Sequence, residues 1–270
     1  MSATRHQLAN LGAGHPPLIG MVHLLALPGA PHWGGSMLDV IERAVEDARV
    51  LETAGFDALI VENFLDAPFY KTDVPPETVA GITAAALAIR EASTLPLGVN
   101  VLRNDARSAL GIASVVNADF IRVNVHTGAM WTDQGMIEGR ASETLRMRAA
   151  LAPHVALIAD VHVKHATPVE GADLLDSARD CWHRGVADAL VISGSGTGHG
   201  TDLADVSAVK GAIPEAQVWI GSGVTAETAA DSLDVADGAI VGTSVMNDGR
   251  PGAGIDPGRA AAFVRAVRGN

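Results

Sequence analysis

Short runs of Val, Ile and Leu recur eight times along the chain, separated by polar or glycine-bearing segments. They are LIGMVHL (18–24), ALIVEN (58–63), LGVNVL (97–102), FIRVNV (120–125), ALIADVHV (156–163), ALVISG (189–194), VWIGSG (218–223) and GAIVGTS (238–244). Near-continuous apolar runs of this length predict strands buried on both faces. Between them the apolar spacing changes to three and four residues, the period of a helix. In MLDVIERAVEDARVLETAG the positions Leu38, Ile41, Val45, Ala48 and Leu51 predict the buried face, and Gly55 predicts the stop. PPETVAGITAAALAIREAS opens on prolines, which suit a first helical turn. Further helices are predicted to begin near Asp105, Ser142, Pro168, Asp202, Thr225 and Pro257.

Strands alternating with helices predict right-handed βαβ units and a parallel sheet. Eight units in roughly 250 residues match an α/β fold, a single (β/α)8 TIM barrel. An open doubly wound sheet would usually carry GxGxxG after its first strand, where this chain has HLLALPGAP (23–31). Residues 1–17 lack the apolar block of a signal peptide and read as a flexible leader; residues 18–270 read as the barrel domain. The longest irregular stretches, 24–36, 64–74 and 127–140, each follow a strand, where barrel enzymes carry their functional loops.

The strand ends break the apolar pattern in phase. Asp160, His162 and Lys164 alternate with Val161 and Val163; Arg122, Asn124 and His126 alternate with Val123 and Val125; Asn100 sits between Val99 and Val101. Alternate side chains point to opposite faces, so the valines should face helices and the polar set the lumen. A closed barrel has no wet edge. His23, Glu62, Asn63, Ser193, Ser222 and Thr243 end the other strands. Burying so many polar groups costs several kcal/mol unless every one is paired, so their convergence predicts a site.

Composition narrows the partners. Hydrophobic residues make up 48% of the 270 residues, enough for a sizeable core, and the formal charge is −12. That charge argues against a nucleic-acid binder. No apolar run is long enough to span a membrane. The single cysteine, Cys181, excludes an intrachain disulfide and fits a reducing, cytoplasmic setting. A homo-oligomer is expected, with no symmetry implied.

Three glycine-bearing turns suggest an anion. The seventh and eighth strands end in GSGVT (221–225) and VGTSVM (241–246), and the sixth runs into SGSGTGHGTD (193–202). Glycines let backbone N–H groups approach an anion, and in barrels the last two loops commonly hold a phosphate. The candidate phosphate-binding residues are Gly194, Ser195, Gly196, Gly221, Ser222, Gly223, Gly242, Thr243 and Ser244.

LIGMVHLLALPGAPHWGG, FDALIVENFLDAPF, LGVNVLRNDARSALGIASVVNADFIRVNVHTGA, ADVHVKHA and the closing GSGVT and VGTS resemble the BtpA/SgcQ family over about 18–268. The resemblance implies a TIM barrel of the phosphate-binding type. It links the chain to photosystem I biogenesis on one side and to sugar-phosphate genes on the other, with no settled reaction. FDALIVENFLDAP also looks like the second strand and loop of tryptophan synthase alpha subunits, which would pair Glu62 with Asp66 in acid–base work.

The expected activity is acid–base chemistry on a small phosphorylated, sugar- or nucleoside-derived metabolite: a lyase, an isomerase, or C–O or C–N cleavage. Glu62 and Asp160 are the candidate base and acid. Lys164 would polarise a carbonyl, stabilise an enolate or form a Schiff base. His162 or His23 would shuttle protons, and Asn100 and Asn124 would orient hydroxyls. No cofactor is required. His23, Glu62, Asp160 and His162 also suit a divalent metal, but no compact ligand motif assigns one. The alternative, implied by the resemblance, is a non-catalytic assembly factor that uses the barrel's surface.

Overall fold

The computed structural model describes residues 6, 8–12, 14–194, 196–198 and 200–269. The strands follow in chain order as β1 (Leu18–His23), β2 (Ala58–Glu62), β3 (Leu97–Asn100), β4 (Phe120–Val123), β5 (Ala129–Thr132), β6 (Gly135–Glu138), β7 (Ala156–Val161), β8 (Ala166–Pro168), β9 (Ala189–Ile192), β10 (Val218–Ile220) and β11 (Gly238–Val241). All except β5, β6 and β8 close a parallel barrel in the order β1-β11-β10-β9-β7-β4-β3-β2. The helices are α1 (Met37–Ala54), α2 (Pro76–Ala92), α3 (Ala106–Val116), α4 (Ala141–Leu151), α5 (Leu174–Arg179), α6 (Leu203–Ala212), α7 (Ala229–Val235) and α8 (Pro257–Arg268). The eight predicted strands are all present, each stopping one to three residues short of its apolar run. His23, Glu62, Asn100, Arg122 and Asp160 lie at or near the carboxyl ends of the paired strands, and Asn124, Ser193, Ser222 and Thr243 lie in the remainders beyond them.

Four sequence expectations need correction. The stretch 127–140 is not irregular: β5 and β6 form an antiparallel hairpin, joined by β8 into a second sheet beside the mouth. Its Met130 and Ile137 pack with Val125 and Val163 in a small separate core, leaving Trp131 exposed. Because β8 occupies 166–168, the fifth helix begins at Leu174, capped by Asp173, rather than near Pro168. The seventh begins at Ala229 rather than near Thr225. The core face of α1 is Val40, Ala44, Ala48 and Leu51, with Leu38 exposed. Leu51 fits against β1 where Gly20 leaves room for it. Within the leader, Leu8 is buried in the main core.

The floor of the barrel repeats one arrangement four times. Asp57, Asp119, Asp188 and Asp237 each stand one residue before a strand (β2, β4, β9, β11). Each carboxylate accepts the backbone N–H at the start of the preceding barrel strand: Leu18 at 2.7 Å, Leu97 at 2.8 Å, Leu157 at 2.8 Å and Val218 at 2.9 Å. Each Asp backbone N–H donates in return to the carbonyl of the same residue. A cation from the last turn of a helix closes every unit: Arg268, Arg90, Arg148 and Lys210 respectively. Charge-assisted bonds of this kind are the stronger class, and here they fix where each pair of strands begins.

Burial grades these clamps. The Asp188 side chain is 0% exposed and that of Asp119 is 45% exposed. Asp188→Ala is expected to cost about 3 kcal/mol by stranding buried donors, and Asp119→Ala about 1 kcal/mol or less. Urea unfolding of both variants checks the order; equal losses would mean the clamps do not carry the floor.

Candidate active site

Above the floor the lumen is closed by aromatic rings. Phe120 of β4 and Trp219 of β10 point inward and are fully buried. Gly98 of β3 stands beside Phe120, where an added Cβ would meet the ring at 2.1 Å. Two residues further along the same inward rows the character changes. Arg122 follows Phe120, Asn100 follows Gly98, Asp160 follows Ile158, Glu62 follows Ile60 and His23 follows Met21.

Arg122 and Asp160 form a two-pronged ion pair, Nε to Oδ1 at 3.0 Å and Nη2 to Oδ2 at 3.1 Å. Asn124 Nδ2 donates to Asp160 Oδ2 at 3.0 Å, and Asn100 Nδ2 donates to Asn124 Oδ1 at 3.1 Å and to the Arg122 carbonyl at 3.0 Å. Both oxygens of Asp160 are therefore engaged, and the carboxylate holds the Arg122 guanidinium in place. Gly221 makes the arrangement fit: a Cβ there would fall 2.4 Å from Val191 Cγ1 and 3.1 Å from Arg122 Nη2. Asn124 is used up in this chain of bonds; Asn100 Oδ1 is buried without a partner among the described residues and is the acceptor left over.

Glu62 stands apart. Its side chain is 5% exposed and accepts no hydrogen bond among the described residues; His23 Nε2 lies at 3.7 Å. Burial raises its pKa, against the pull of Lys164, Arg122 and Arg103, with Asp160 adding to the rise. His23 stacks on Phe64 with ring centroids 4.1 Å apart. Burial, then the charges of Lys164 and Arg122, lower the His23 pKa to about 3. The neutral imidazole is the form this setting favours.

The segment carrying Lys164 departs from strand geometry. His162 and His165 have φ of 53° and 55°, a left-handed conformation uncommon outside glycine. His162 thereby leaves the face it would share with Asp160 and pairs with Ser177 of α5 at 3.0 Å. Lys164 remains at the mouth. Arg103 Nη2 donates to its carbonyl at 2.5 Å, and His165 Nε2 meets Thr197 at 2.8 Å. No acceptor lies within bonding distance of the Lys164 ammonium among the described residues. Burial lowers its pKa, as does Arg122, while Glu62 and Asp160 oppose the change.

One cavity joins His23, Arg122 and Lys164 to the glycine turns, while Glu62, Asp160 and Arg103 stand outside its lining. Met21, His23, Arg122 and Lys164 line it together with Gly221, Ser222, Gly223, Gly242 and Thr243, and Thr197 and Gly198 form one wall. Gly194, Gly196 and Ser244 are not in its lining. The Gly194 N–H donates to Ser222 Oγ at 3.1 Å, which ties the sixth and seventh loops. Ser195 lies outside the described residues.

Other candidates fall elsewhere. Asp66 accepts from Leu27 N–H at 2.8 Å and from Asn63 at 3.1 Å, so it holds two loops together outside the mouth cavity. His126 donates to the Gly185 carbonyl at 2.8 Å. The buried Cys181 thiol is pushed up to about 12, chiefly by burial, which disfavours the thiolate. No group of three or more His, Cys, Asp or Glu side chains among the described residues is arranged to hold a metal ion. Arg103 is the functional-looking residue that strand alternation could not find. It lies beyond β3, in a loop, and reaches the mouth only through the fold.

The sequence matches the BtpA family over residues 14–269. The chain belongs to the BtpA family. It is 46% identical over 253 residues to the photosystem I biogenesis protein BtpA of Synechocystis sp., covering 94% of this chain and 88% of that one. An uncharacterised protein of Thermococcus kodakarensis is 47% identical over 252 residues, covering 93% and 95%. Among solved structures, N-(5'-phosphoribosyl)anthranilate isomerase from Pyrococcus furiosus superposes with a TM-score of 0.58 at 15% identity, covering 95% of this BtpA-family chain and 100% of that one. A native KDPGal structure gives 0.59 at 18%, covering 94% and 95%. At these identities the likeness establishes the barrel alone.

The state of Glu62 has a consequence for stability. In the unfolded chain it ionises near its ordinary value of 4.5, and in the fold its pKa is higher. Below pH 4.5 both states hold the proton and the group is neutral in cost. As pH rises from there the unfolded chain ionises first, so folding is penalised until pH passes the folded pKa, after which the penalty is constant. Glu62→Gln is therefore expected to melt higher than wild type at pH 8, with the gap closing towards pH 4. Calorimetry across that range decides it: a variant that melts lower at pH 8 would show that Glu62 is paired and structural.

Proposed function

We propose that this BtpA-family barrel is an enzyme acting on a small phosphorylated metabolite, sugar- or nucleoside-derived, by acid–base chemistry at the carboxyl ends of its strands. The observation that carries the reading is the cavity where Lys164, Arg122 and the two glycine turns meet. Around it three cations, Arg103, Arg122 and Lys164, face two carboxyls, Glu62 and Asp160. This is a locally positive spot in a chain of formal charge −12. Such a bowl favours an anion over a cation or a neutral ligand. The phosphate would rest on Gly221–Gly223, Gly242 and Thr243, with Thr197 and Gly198 on one side. Glu62, desolvated and unpaired, is the group that gives and takes the proton. The chemistry needs no cofactor. An isomerase of a phosphoribosyl compound stands among the fold neighbours, which is compatible with a lyase or isomerase reaction.

The name of the Synechocystis relative motivates a second reading, an assembly role without catalysis. No helix among the described residues is long and apolar enough to cross a membrane. An assembly role would leave the mouth dispensable, whereas a desolvated, unpaired carboxyl is costly to keep without use.

Inorganic phosphate and small sugar phosphates are expected to raise the melting temperature, since a ligand at about a hundred times its Kd adds about 2.7 kcal/mol. Thr243→Glu places a negative charge in the cradle and should abolish that rise while the protein stays folded. A shift that survives in Thr243→Glu places the anion elsewhere, and no shift with any phosphate removes the reading.

A further inference from the structure

We propose that Lys164 is a carbonyl-reactive amine, so that the substrate is a phosphorylated aldehyde or ketone held as an imine. The phosphate half of this rests on the function proposed above; the amine half stands on separate observations.

The first is residue usage. The chain has three lysines, Lys71, Lys164 and Lys210, against sixteen arginines. Lys71 is exposed on a loop, and Lys210 is paired with Asp237 at the floor. The other two mouth cations are Arg103 and Arg122. A site that wanted only a fixed positive charge is served by arginine, which stays protonated; lysine differs in being able to shed its proton and offer a lone pair.

The second is placement. The Lys164 backbone is held from three directions: Arg103 grips its own carbonyl, His162 is fixed to Ser177, and His165 is fixed to Thr197. Two left-handed residues in four, at His162 and His165, mark a turn that the surroundings must impose. Yet the ammonium that this turn presents has no protein partner among the described residues, and it borders the cavity floored by the glycine turns. Two guanidiniums nearby disfavour its charged form, in the same direction as burial. A backbone tethered this firmly around an unpaired amine is arranged for something that arrives from outside.

The third is the proton carrier. Glu62 lies close enough to Lys164 that each shifts the other, and it has no hydrogen bond of its own. In the step, the neutral amine adds to the carbonyl carbon, and the carbonyl pair moves to oxygen, which takes the proton of Glu62. The nitrogen then returns a proton to the Glu62 carboxylate. A second proton from Glu62 lets the hydroxyl leave as water while the nitrogen lone pair closes C=N. One amine and one carbonyl give one imine and one water, with no change of oxidation state. The protonated imine then draws in the electron pair of an adjacent C–H or C–C bond. In C–H cleavage the Glu62 carboxylate takes the released proton; in C–C cleavage it takes the proton of the hydroxyl on the departing carbon, whose O–H pair becomes the new C=O, and that fragment leaves as a second carbonyl compound.

The small lysine count makes the test clean. The full chain is treated with glycolaldehyde phosphate and sodium cyanoborohydride, digested and mapped by mass spectrometry. The adduct should be found on Lys164 in excess over Lys71, since burial and the neighbouring guanidiniums leave more of the Lys164 amine free. Excess inorganic phosphate should suppress it. Lys164→Arg should stay folded by circular dichroism and lose the adduct. Labelling of Lys71 equal to Lys164, or an unlabelled Lys164, overturns the proposal. Unphosphorylated glycolaldehyde separates the two halves. Equal labelling of Lys164 with either aldehyde, indifferent to phosphate, upholds the amine and sinks the phosphate reading. A phosphate-induced thermal shift without any adduct sinks the amine alone.

Discussion

Four aspartates at the floor set the register on which everything above depends. Each takes both backbone groups of the first or second residue of a strand, through its carboxylate and through its own N–H, and each is held by a cation from the end of a helix. In a strand a slip of one residue sends every side chain to the opposite face. A slip at β4 would turn Phe120 and Arg122 towards the helices and bring Ile121 and Val123 into the lumen. The clamp is therefore what separates the outward valines from the inward polar set. Phe120 and Trp219 then close the lumen just above it, so the barrel is a bowl with one working opening and not a pore.

Within the bowl the charges divide into two groups. Arg122 and Asp160 satisfy each other, and the Asn124–Asn100 chain supports them from one side. A buried pair of this kind contributes little net stability, but it fixes a positive guanidinium beneath the glycine turns. Glu62 and Lys164 are left over. Each is desolvated, each is shifted towards its neutral form, and neither has a partner within bonding distance among the described residues. Their shifts run in opposite directions, one acid gaining and one ammonium losing affinity for a proton, so together they lower the free energy needed to pass a proton between them.

The barrel was legible because its signals are local and periodic. Eight apolar runs gave eight strands, and the phase of Asn100, Arg122, Asn124 and Asp160 put them on the inward rows, where strand geometry held to the end. His162 shows where that logic stops: a positive φ at one residue ends the alternation, and nothing in VHVKH marks it. The hairpin was hidden for a different reason. AMWT and GMIE are short and half exposed, so their stability comes from pairing with β8 and not from an apolar run of their own. The face of α1 was misjudged because Leu38 is apolar but exposed, whereas Ala44 is small enough to pack close to the barrel. The floor aspartates recur as FDA, ADF, ADA and ADG before every second strand, a repeat whose meaning needs the partner strand, since the donors lie about 20 to 40 residues earlier in the chain.

Carboxyl groups at the two ends of the same barrel give the plainest contrast. At the floor, each aspartate accepts a backbone N–H and a cation, the number of partners a carboxylate needs to repay its dehydration. At the mouth, Asp160 accepts three bonds and is likewise satisfied. Glu62, buried to the same degree, accepts none. A fold able to satisfy five acids so fully had donors within reach for a sixth: Arg103 extends past it to the Lys164 carbonyl, and Asn100 turns its amide nitrogen to Asn124 instead. The unpaired state of Glu62 is thus a property of where its neighbours point, and that orientation keeps one acid and one amine uncommitted at the edge of the Arg122–Asp160–Asn124–Asn100 network.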